Sequence, residues 1–336
     1  METGIGRGIK STLAAWAMLV LGTCLAHAGV VEINLASAYP DDNFQTQNLR
    51  QFAEDVKQAT AGQVIIKVQS GGKLLKAPLD IFNGVRSGKA EAGEAIMSGL
   101  TTENVLFGLD ALPFIVSGYD DARSMWEVSK PGLEKVMAAK DLELLYAVPW
   151  PPQNLYSKGP INSVRDFKGL SMRNYSPATE RIAELIGAKP VTIQVVDLAK
   201  AIADEKLDLM LTSSWTGVDT KAWSKLQYYY KVSAWIPKNM VFIQKKLFAK
   251  LDAATRKKIM DAAQVAETRG WKLSQDSDQN YENQLAANRI NVSTIEPYIR
   301  KYLDRVGENL TREWLRKAGS EELSILLKYT TERSMR

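Results

Sequence analysis

A stretch of 38 residues near the C-terminus, Asp252–Arg289, contains no proline and only one glycine, Gly270. Such a stretch favours one continuous α-helix, and Asp252 is well suited to cap its start. At about 1.5 Å per residue this helix would be roughly 57 Å long, whereas a compact domain of about 150 residues is roughly 30 Å across. The sequence therefore predicts a helix that spans two lobes. Two helices with a bend near Gly270 are the alternative.

The first 28 residues have the organisation of a secretory signal peptide. Arg7 and Lys10 supply positive charge, an apolar stretch runs from Leu13 to Leu25, and Ala26-His27-Ala28 matches an A-x-A cleavage site. The apolar stretch is too short to span a membrane comfortably. We expect cleavage after Ala28 and export, with a bacterial periplasm as the location. An uncleaved N-terminal anchor is the alternative.

Cysteine and histidine each occur once in the 336 residues, as Cys24 and His27, and both lie in this segment. The exported chain would therefore contain no cysteine nucleophile, no disulfide, no Ser-His-Asp triad and no zinc site built on imidazole. We expect neither a metal ion nor a cofactor. The net charge of +5 is small, and no basic tract accompanies it, so the sequence does not indicate nucleic-acid binding.

The rest of the chain alternates between strand and helix patterns, which is typical of an α/β fold with mostly parallel sheets. Before residue 150, the predicted strands are Val31–Ser37, Gln63–Gln69 and Leu142–Val148. Beyond it, the predicted strands are Leu170–Tyr175, Val191–Val195 and Leu207–Leu211, and the predicted helices are Pro177–Ile186 and Asp197–Lys206. Trp150-Pro151-Pro152 interrupts every pattern, so we expect the chain to cross between domains there.

One charged residue, Arg173, lies within the short apolar strand Leu170–Tyr175. Strand alternation places it on the same face as Ser171 and Tyr175. A buried arginine is costly unless it is paired, and a planar guanidinium suits the bidentate binding of a carboxylate. Arg173 is also near the carboxyl end of the strand, where open α/β sheets bind ligands. From this strand alone, an internal salt bridge or a surface arginine remains an alternative.

Two tryptophans are candidates for the walls of a ligand cleft. Trp150 stands beside the two prolines at the expected crossover, and Trp215 follows Thr212-Ser213-Ser214 at the end of a predicted strand. Aromatic side chains are more often part of a core or surface, so that alternative stays open for both.

Several segments together resemble the periplasmic substrate-binding proteins of tripartite ATP-independent periplasmic (TRAP) transporters. The segments that carry the resemblance are Asp166-Phe-Lys-Gly-Leu-Ser-Met-Arg173, Gly88-Lys-Ala-Glu-Ala-Gly93, Leu112-Pro113-Phe114, Gly187-Ala-Lys-Pro190 and the helix Asp197–Lys206 leading into Leu207-Asp208. They occur in the family's order and cover essentially the whole exported chain.

The resemblance implies a two-lobed periplasmic binding protein of type II-like fold, with hinge strands and a long helix that spans both lobes. The implied first lobe contains residues 29–150 and about 238–275. The implied second lobe contains residues 151–237 and about 276–336. The ligand cleft would lie between them.

The resemblance also implies roles for individual residues. The family arginine that pairs with a ligand carboxylate falls on Arg173. We expect Trp150 and Trp215 to shield the body of the ligand, and Tyr175 is a further candidate contact. Gln153 stands where members that bind sialic acid have a second arginine. The family asparagine after the strand that starts at Leu207 is replaced by Thr212-Ser213-Ser214, so Thr212 and Ser213 are expected polar contacts and Trp215 an expected wall. The family's acidic residue falls on Glu91, where we expect a structural role.

We therefore expect a monomeric extracytoplasmic solute receptor, not an enzyme. It would capture a small organic acid in the cleft and deliver it to the membrane subunits of a TRAP transporter. Two alternatives remain: an exported carboxylate-dependent enzyme such as a glycosidase, and a ligand-binding module for a membrane sensor.

Overall fold

The structure, a computed structural model, describes residue 1 and residues 29–335. The predicted signal peptide, residues 1–28, therefore lies outside the described residues apart from Met1. Within the part of the chain that is described, no helix is both long and apolar enough to cross a membrane. The strands and helices are numbered below in chain order.

A five-stranded sheet forms the centre of the first lobe. Its strands are β1 (Val31–Ala36), β2 (Val64–Gln69), β3 (Ala92–Ile96), β4 (Leu142–Pro149) and β10 (Lys238–Gln244). The strand order is β2-β1-β3-β10-β4, and β10 alone runs antiparallel to its neighbours.

A six-stranded sheet forms the centre of the second lobe. Its strands are β5 (Asn154–Ser157), β6 (Ser171–Asn174), β7 (Lys189–Thr192), β8 (Leu209–Thr212), β9 (Tyr228–Lys231) and β11 (Asn291–Thr294). The strand order is β11-β9-β5-β8-β6-β7, and here β5 is the reversed strand. Both sheets are thus mostly parallel, as the alternating pattern predicts.

Helices cover both sheets. They are α1 (Phe44–Ala59), α2 (Pro78–Arg86), α3 (Tyr119–Ala138), α4 (Pro177–Leu185), α5 (Val195–Ala203), α6 (Ser214–Asp219), α7 (Lys245–Lys250), α8 (Ala253–Ala287), α9 (Pro297–Lys317) and α10 (Ser320–Ser334). Short 3₁₀ helices cover Met97–Leu100, Val105–Ala111, Val164–Phe167 and Ala222–Ser224. Proline occupies the start of α2, α4 and α9, where its missing N–H has no helical partner to lose.

The predicted strand Val191–Val195 is displaced in the structure. Strand β7 ends at Thr192, and α5 already begins at Val195 rather than at Asp197. Val195 and Val196 pack against the core of the first lobe, and this burial outweighs the preference of β-branched residues for strands.

The chain passes between the two sheets at residues 150–153 and again at residues 232–237. The two crossing segments are bonded to each other: the Trp150 amide donates to the Pro237 carbonyl, and the Gln153 amide to the Trp235 carbonyl, both at 2.8 Å. The reversed strands β5 and β10 each enter a sheet directly from the other lobe. The predicted α/β fold of two lobes joined by crossing strands is confirmed.

The C-terminal helix departs from the sequence-based division, which places residues 276–336 in the second lobe. Helix α9 packs against α4 of the second lobe, but α10 packs against α3 of the first. Leu326 and Tyr329 of α10 belong to a first-lobe core cluster. In the sequence, only the short Ala318-Gly319 break between α9 and α10 marks the return of the chain to the first lobe. Hydrophobic periodicity predicts a helix but does not show which lobe the helix packs against. The other lobe boundaries stay predictions.

Helix α8 is one unbroken helix of 35 residues, roughly 52 Å long, so the prediction of a lobe-spanning helix is confirmed and the bend near Gly270 is wrong. Gly270 serves close packing instead. A Cβ atom at this position would lie 2.5 and 2.7 Å from the two γ-methyl carbons of Val148 on β4. The absence of a side chain therefore lets α8 lie directly on the end of β4, where the chain leaves the first sheet.

We expect Gly270→Ala to destabilise the protein, although alanine favours a helix interior by about 1 kcal/mol over glycine. The clash with Val148 should outweigh that gain, since overpacking typically costs about 1–3 kcal/mol. Chemical denaturation of residues 29–336 measures the effect. The matched background is Val148→Ala, in which the same Gly270→Ala change should cost much less, since only Asn48 Nδ2, 3.0 Å from the new Cβ atom, stays close. A stabilising Gly270→Ala in the wild-type background would contradict this account.

Candidate functional site

A partly enclosed cleft lies between the two lobes. The first lobe contributes Tyr39, Lys76 and Glu94, and the second contributes Arg173, Tyr175, Gln194 and Thr212. The crossing segment contributes Trp150 and Gln153. The hinge itself thus forms part of the wall.

Arg173 is a buried cation at the C-terminal end of β6, and only 4% of its surface is exposed. Its Nε donates to the Ile193 carbonyl at 3.0 Å, and its guanidinium carbon lies 4.7 Å from the centre of the Tyr175 ring. Within residues 29–335, no carboxylate forms an ion pair with it. Burial lowers the pKa of Arg173 to about 10, so the side chain remains charged at neutral pH.

Glu94 is a buried acid on β3, with 1% of its surface exposed. Its two carboxyl oxygens accept hydrogen bonds from Ser37 Oγ at 2.6 Å and from Asn239 Nδ2 at 3.0 Å. Burial raises the pKa of Glu94 to about 7, because the two hydrogen bonds only partly offset the loss of water. The cleft therefore contains an acid that is partly protonated near neutral pH.

Asn239, at the start of β10, connects Glu94 to the aromatic wall. Its Oδ1 accepts from Trp150 Nε1 at 2.9 Å and from the Tyr39 hydroxyl at 3.3 Å. The Tyr39 and Trp150 rings lie 5.1 Å apart. These bonds fix the two rings and the Glu94 carboxyl relative to one another, so this wall of the cleft is pre-organised.

Gln153 and Tyr175 form the corresponding pair on the second-lobe side. Gln153 Nε2 donates to the Pro151 carbonyl at 2.9 Å, and its Oε1 accepts from the Tyr175 hydroxyl at 3.3 Å. Gln153 is therefore held by its own side-chain bonds where the resemblance places a second arginine in other members. Because the Gln153 side chain is a neutral amide, Arg173 supplies the positive charge at this end of the cleft.

The structure brings together five of the seven residues predicted for the site: Arg173, Trp150, Gln153, Tyr175 and Thr212 all line the cleft. Their contacts with a ligand stay predictions. Ser213 and Trp215 lie outside the lining. Ser213 Oγ accepts from the Thr216 amide at 3.1 Å and caps α6.

Trp215 packs between two aromatic rings instead of facing the cleft. Its ring centre lies 4.1 Å from that of Phe44 on α1 and 4.2 Å from that of Tyr281 on α8. Helix α6 turns its side chain away from the end of β8, which the strand-end position in the sequence does not reveal.

The sequence analysis missed Glu94, Tyr39 and Asn239. A usable signal exists for Glu94, because it is a carboxyl group within the apolar segment Ala90–Met97 and is costly to bury without a purpose. Glu91, by contrast, accepts hydrogen bonds from the Asn34 amide at 2.8 Å and from its Nδ2 at 3.1 Å. These bonds join β1 to the start of β3.

Among the described residues, no group of three or more Asp, Glu, His or Cys side chains could hold a metal ion. The site offers a buried cation, a buried acid and aromatic rings. This combination suits the binding of a small molecule that carries a carboxylate, one hydrogen-bond donor and an apolar body.

The described part of the chain has two α/β lobes, a hinge of crossing strands and a cleft that contains a buried cation without an acidic partner there. These features define a two-lobed ligand-binding protein. The family described as bacterial extracellular solute-binding protein, family 7 (DctP) matches residues 35–317. The chain belongs to this family, whose members include the solute receptors of TRAP transporters. It is a family of extracytoplasmic solute receptors and not a class of enzymes.

Solved structures and a curated protein show the same relationship. The chain is 37% identical to DctP7 of Bordetella pertussis, an extracytoplasmic solute receptor binding pyroglutamic acid, with a TM-score of 0.87 over 90% of this chain and 100% of that one. It is 32% identical to a marine metagenome TRAP solute-binding protein specific for pyroglutamate, with a TM-score of 0.88 over 90% and 99% of the two chains. A solute-binding protein of Albidiferax ferrireducens is 23% identical over 216 residues. That match spans 62% of this chain and 63% of the relative, which is less than two thirds of its length.

We expect Glu94→Gln to stabilise the unliganded protein above neutral pH. Because the pKa of Glu94 is raised from 4.5 in the unfolded chain to about 7 in the folded protein, the wild type loses stability relative to the variant as the pH rises through this interval. The difference should reach at most about 3 kcal/mol and then remain constant above pH 7. Denaturant unfolding at several pH values measures it, and equal curves for the two proteins would contradict the raised pKa of this buried carboxyl.

Proposed function

We propose that this protein is a periplasmic solute receptor that binds a small cyclic amide acid, with pyroglutamate as the representative ligand, and delivers it to the membrane subunits of a TRAP transporter. One observation carries the proposal. The guanidinium of Arg173 is buried in the cleft, and no carboxylate among residues 29–335 pairs with it. A ligand carboxylate is the group that completes such a site, since it supplies both the counter-charge and two acceptors in a plane.

The choice of pyroglutamate rests on two supports. The first is the similarity, above 30% identity, to three receptors whose structures are described with pyroglutamate or pyroglutamic acid. The second is Glu94, whose carboxyl oxygens have lone pairs left after accepting from Ser37 and Asn239. A lactam N–H is a donor that suits this acceptor.

The aromatic residues suit the body of such a ligand. Tyr39 and Trp150 stand on one side of the cleft, and Tyr175 stands beside Arg173 on the other. A small, flat, partly apolar ring would be covered by these side chains, while its polar groups would meet the buried charges. Burial of the ligand would then require the lobes to close over it, which is the usual motion about a hinge of this kind.

The proposal also covers where the protein acts and whether it changes its ligand chemically. The predicted signal peptide supports a periplasmic location, and we propose that the receptor acts there as a monomer. Binding and release would leave the ligand chemically unchanged, as expected of the family of solute-binding proteins to which the chain belongs.

We expect Arg173→Met to abolish binding of pyroglutamate. Loss of one partner of a buried charge pair typically costs 2–5 kcal/mol, so the affinity should fall by roughly 100-fold or more. Calorimetric titration of residues 29–336 measures this. The same variant should raise the melting temperature of the unliganded protein, because it removes a buried cation that has no partner. This second readout separates a lost site from a damaged fold.

The matched control is Arg181→Met. Arg181 is in the same lobe but pairs on the surface with Glu313, at 2.9 Å, and its replacement should leave the affinity within about twofold, as an exposed ion pair contributes little. The ligand panel should contain pyroglutamate, 2-pyrrolidinone, which lacks the carboxylate, and the lactone analogue, which lacks the N–H. Binding of 2-pyrrolidinone as tightly as pyroglutamate, or unchanged binding by Arg173→Met, would rule out the proposed site.

A further inference from the structure

Trp215 makes a contact between the lobes that the ligand site does not explain. It belongs to α6 of the second lobe and is only 7% exposed. Its ring lies between that of Phe44 on the first lobe, with centres 4.1 Å apart, and that of Tyr281 on α8, with centres 4.2 Å apart. Beside it, Asn43 Nδ2 donates to Asp219 Oδ2 at 2.6 Å, again from the first lobe to the second. We call Asn43, Phe44, Trp215 and Asp219 the closure contact.

Both sides of the closure contact are firmly mounted on their own lobes. Helix α6 lies so close to β5 that a Cβ atom on Gly217 would be 2.0 Å from the Tyr156 hydroxyl oxygen. Ser214 Oγ donates to Asp278 on α8 at 2.6 Å. On the first lobe, Asn43 Oδ1 caps α1 by accepting from the Gln45 amide at 3.0 Å, which leaves its Nδ2 directed at Asp219. A motion of one lobe against the other would therefore separate the contact as a unit.

The closure contact is joined to the ligand cleft by aromatic rings. Phe44 touches Trp215 on one side and Trp150 on the other, and its ring centre is 5.0 Å from that of Trp150. Trp150 in turn lies 5.1 Å from Tyr39, and both of these line the cleft. A ligand that holds Tyr39 and Trp150 in place would also hold Phe44 in the position that receives Trp215.

We propose that Trp215 is a positioning residue that holds the lobes closed over the ligand and so sets the rate of ligand release, without touching the ligand. This inference rests on the proposed function for its ligand probe. It differs from the sequence-based expectation that Trp215 is a wall of the pocket. A wall residue would alter which ligands bind, whereas a closure residue alters how long any bound ligand stays.

The test compares Trp215→Leu with Trp223→Leu. Trp223 lies in the same lobe and packs against a second-lobe cluster, so it controls for the loss of a tryptophan. We expect Trp215→Leu to speed dissociation of pyroglutamate by about 30-fold, the scale of a truncated interface hot spot. Its association rate and its preference for pyroglutamate over the lactone analogue should stay unchanged. An unchanged dissociation rate, or a changed preference, would overturn the proposal.

A second set of variants tests the closure contact while Trp215 stays in place. Asn43→Asp keeps the helix cap but places a carboxylate against Asp219, so at pH 8 it should speed ligand release. Asp219→Asn in the same chain restores an amide–carboxylate pair with the donor reversed, and should restore slow release. Failure of the double variant to recover would contradict a direct bond between the lobes.

A ligand-independent readout separates the two proposals. Residues 29–336 contain no cysteine, so Ala59→Cys and Ala203→Cys, exposed positions on opposite lobes, provide unique sites for spin labels. The distance distribution without ligand should contain a short population that shrinks in Trp215→Leu and in Asn43→Asp. If pyroglutamate fails to bind but this shift occurs, the ligand assignment is wrong and the closure contact stands. Identical distributions in all variants would reject the closure contact.

Discussion

A buried positive charge without a partner is the constraint to which the rest of the cleft is fitted. Arg173 is 4% exposed and donates to one backbone carbonyl, while no carboxylate of the described chain pairs with it. Keeping a guanidinium in this state destabilises the unliganded protein, because the charge has lost water without gaining a counter-ion. When an acid binds, its carboxylate supplies the missing counter-charge and removes this unfavourable energy. The buried arginine therefore lowers the stability of the unliganded protein and raises its affinity for an acid.

The fold supplies this charge with an environment that neither lobe provides alone. Strand β6 positions Arg173 on one side, strand β3 positions Glu94 on the other, and the crossing segment inserts Trp150 between them. Asn239, on the strand that returns to the first lobe, then bonds to both Glu94 and Trp150. The crossing strands thus act as a hinge and also set the geometry of the wall, which couples movement of the lobes directly to the ligand.

Sequence reasoning found the features that depend on residue type and length, and missed those that depend on packing between distant segments. The long helix followed from a proline-free stretch, and Arg173 stood out as a charge in an apolar strand. The close packing of Gly270 on Val148 was not foreseen, because no sequence pattern shows what faces a glycine, and a bend there stayed open as the alternative. Trp215 was placed at a strand end, but a short helix turns it onto Phe44, about 170 residues earlier in the chain. Glu94 carried a signal, a carboxyl in an apolar strand, that the pattern alone left unused.

The most direct test of this account is a crystal structure of residues 29–336 grown with pyroglutamate. We expect the ligand in the cleft between the lobes, with both carboxylate oxygens about 2.7–2.9 Å from the guanidinium nitrogens of Arg173. We also expect the ring N–H directed at Glu94 and Trp215 still packed on Phe44, outside the ligand's contacts. A ligand whose carboxylate is held by Lys76 or by water, with Arg173 remaining unpaired, would contradict the central claim.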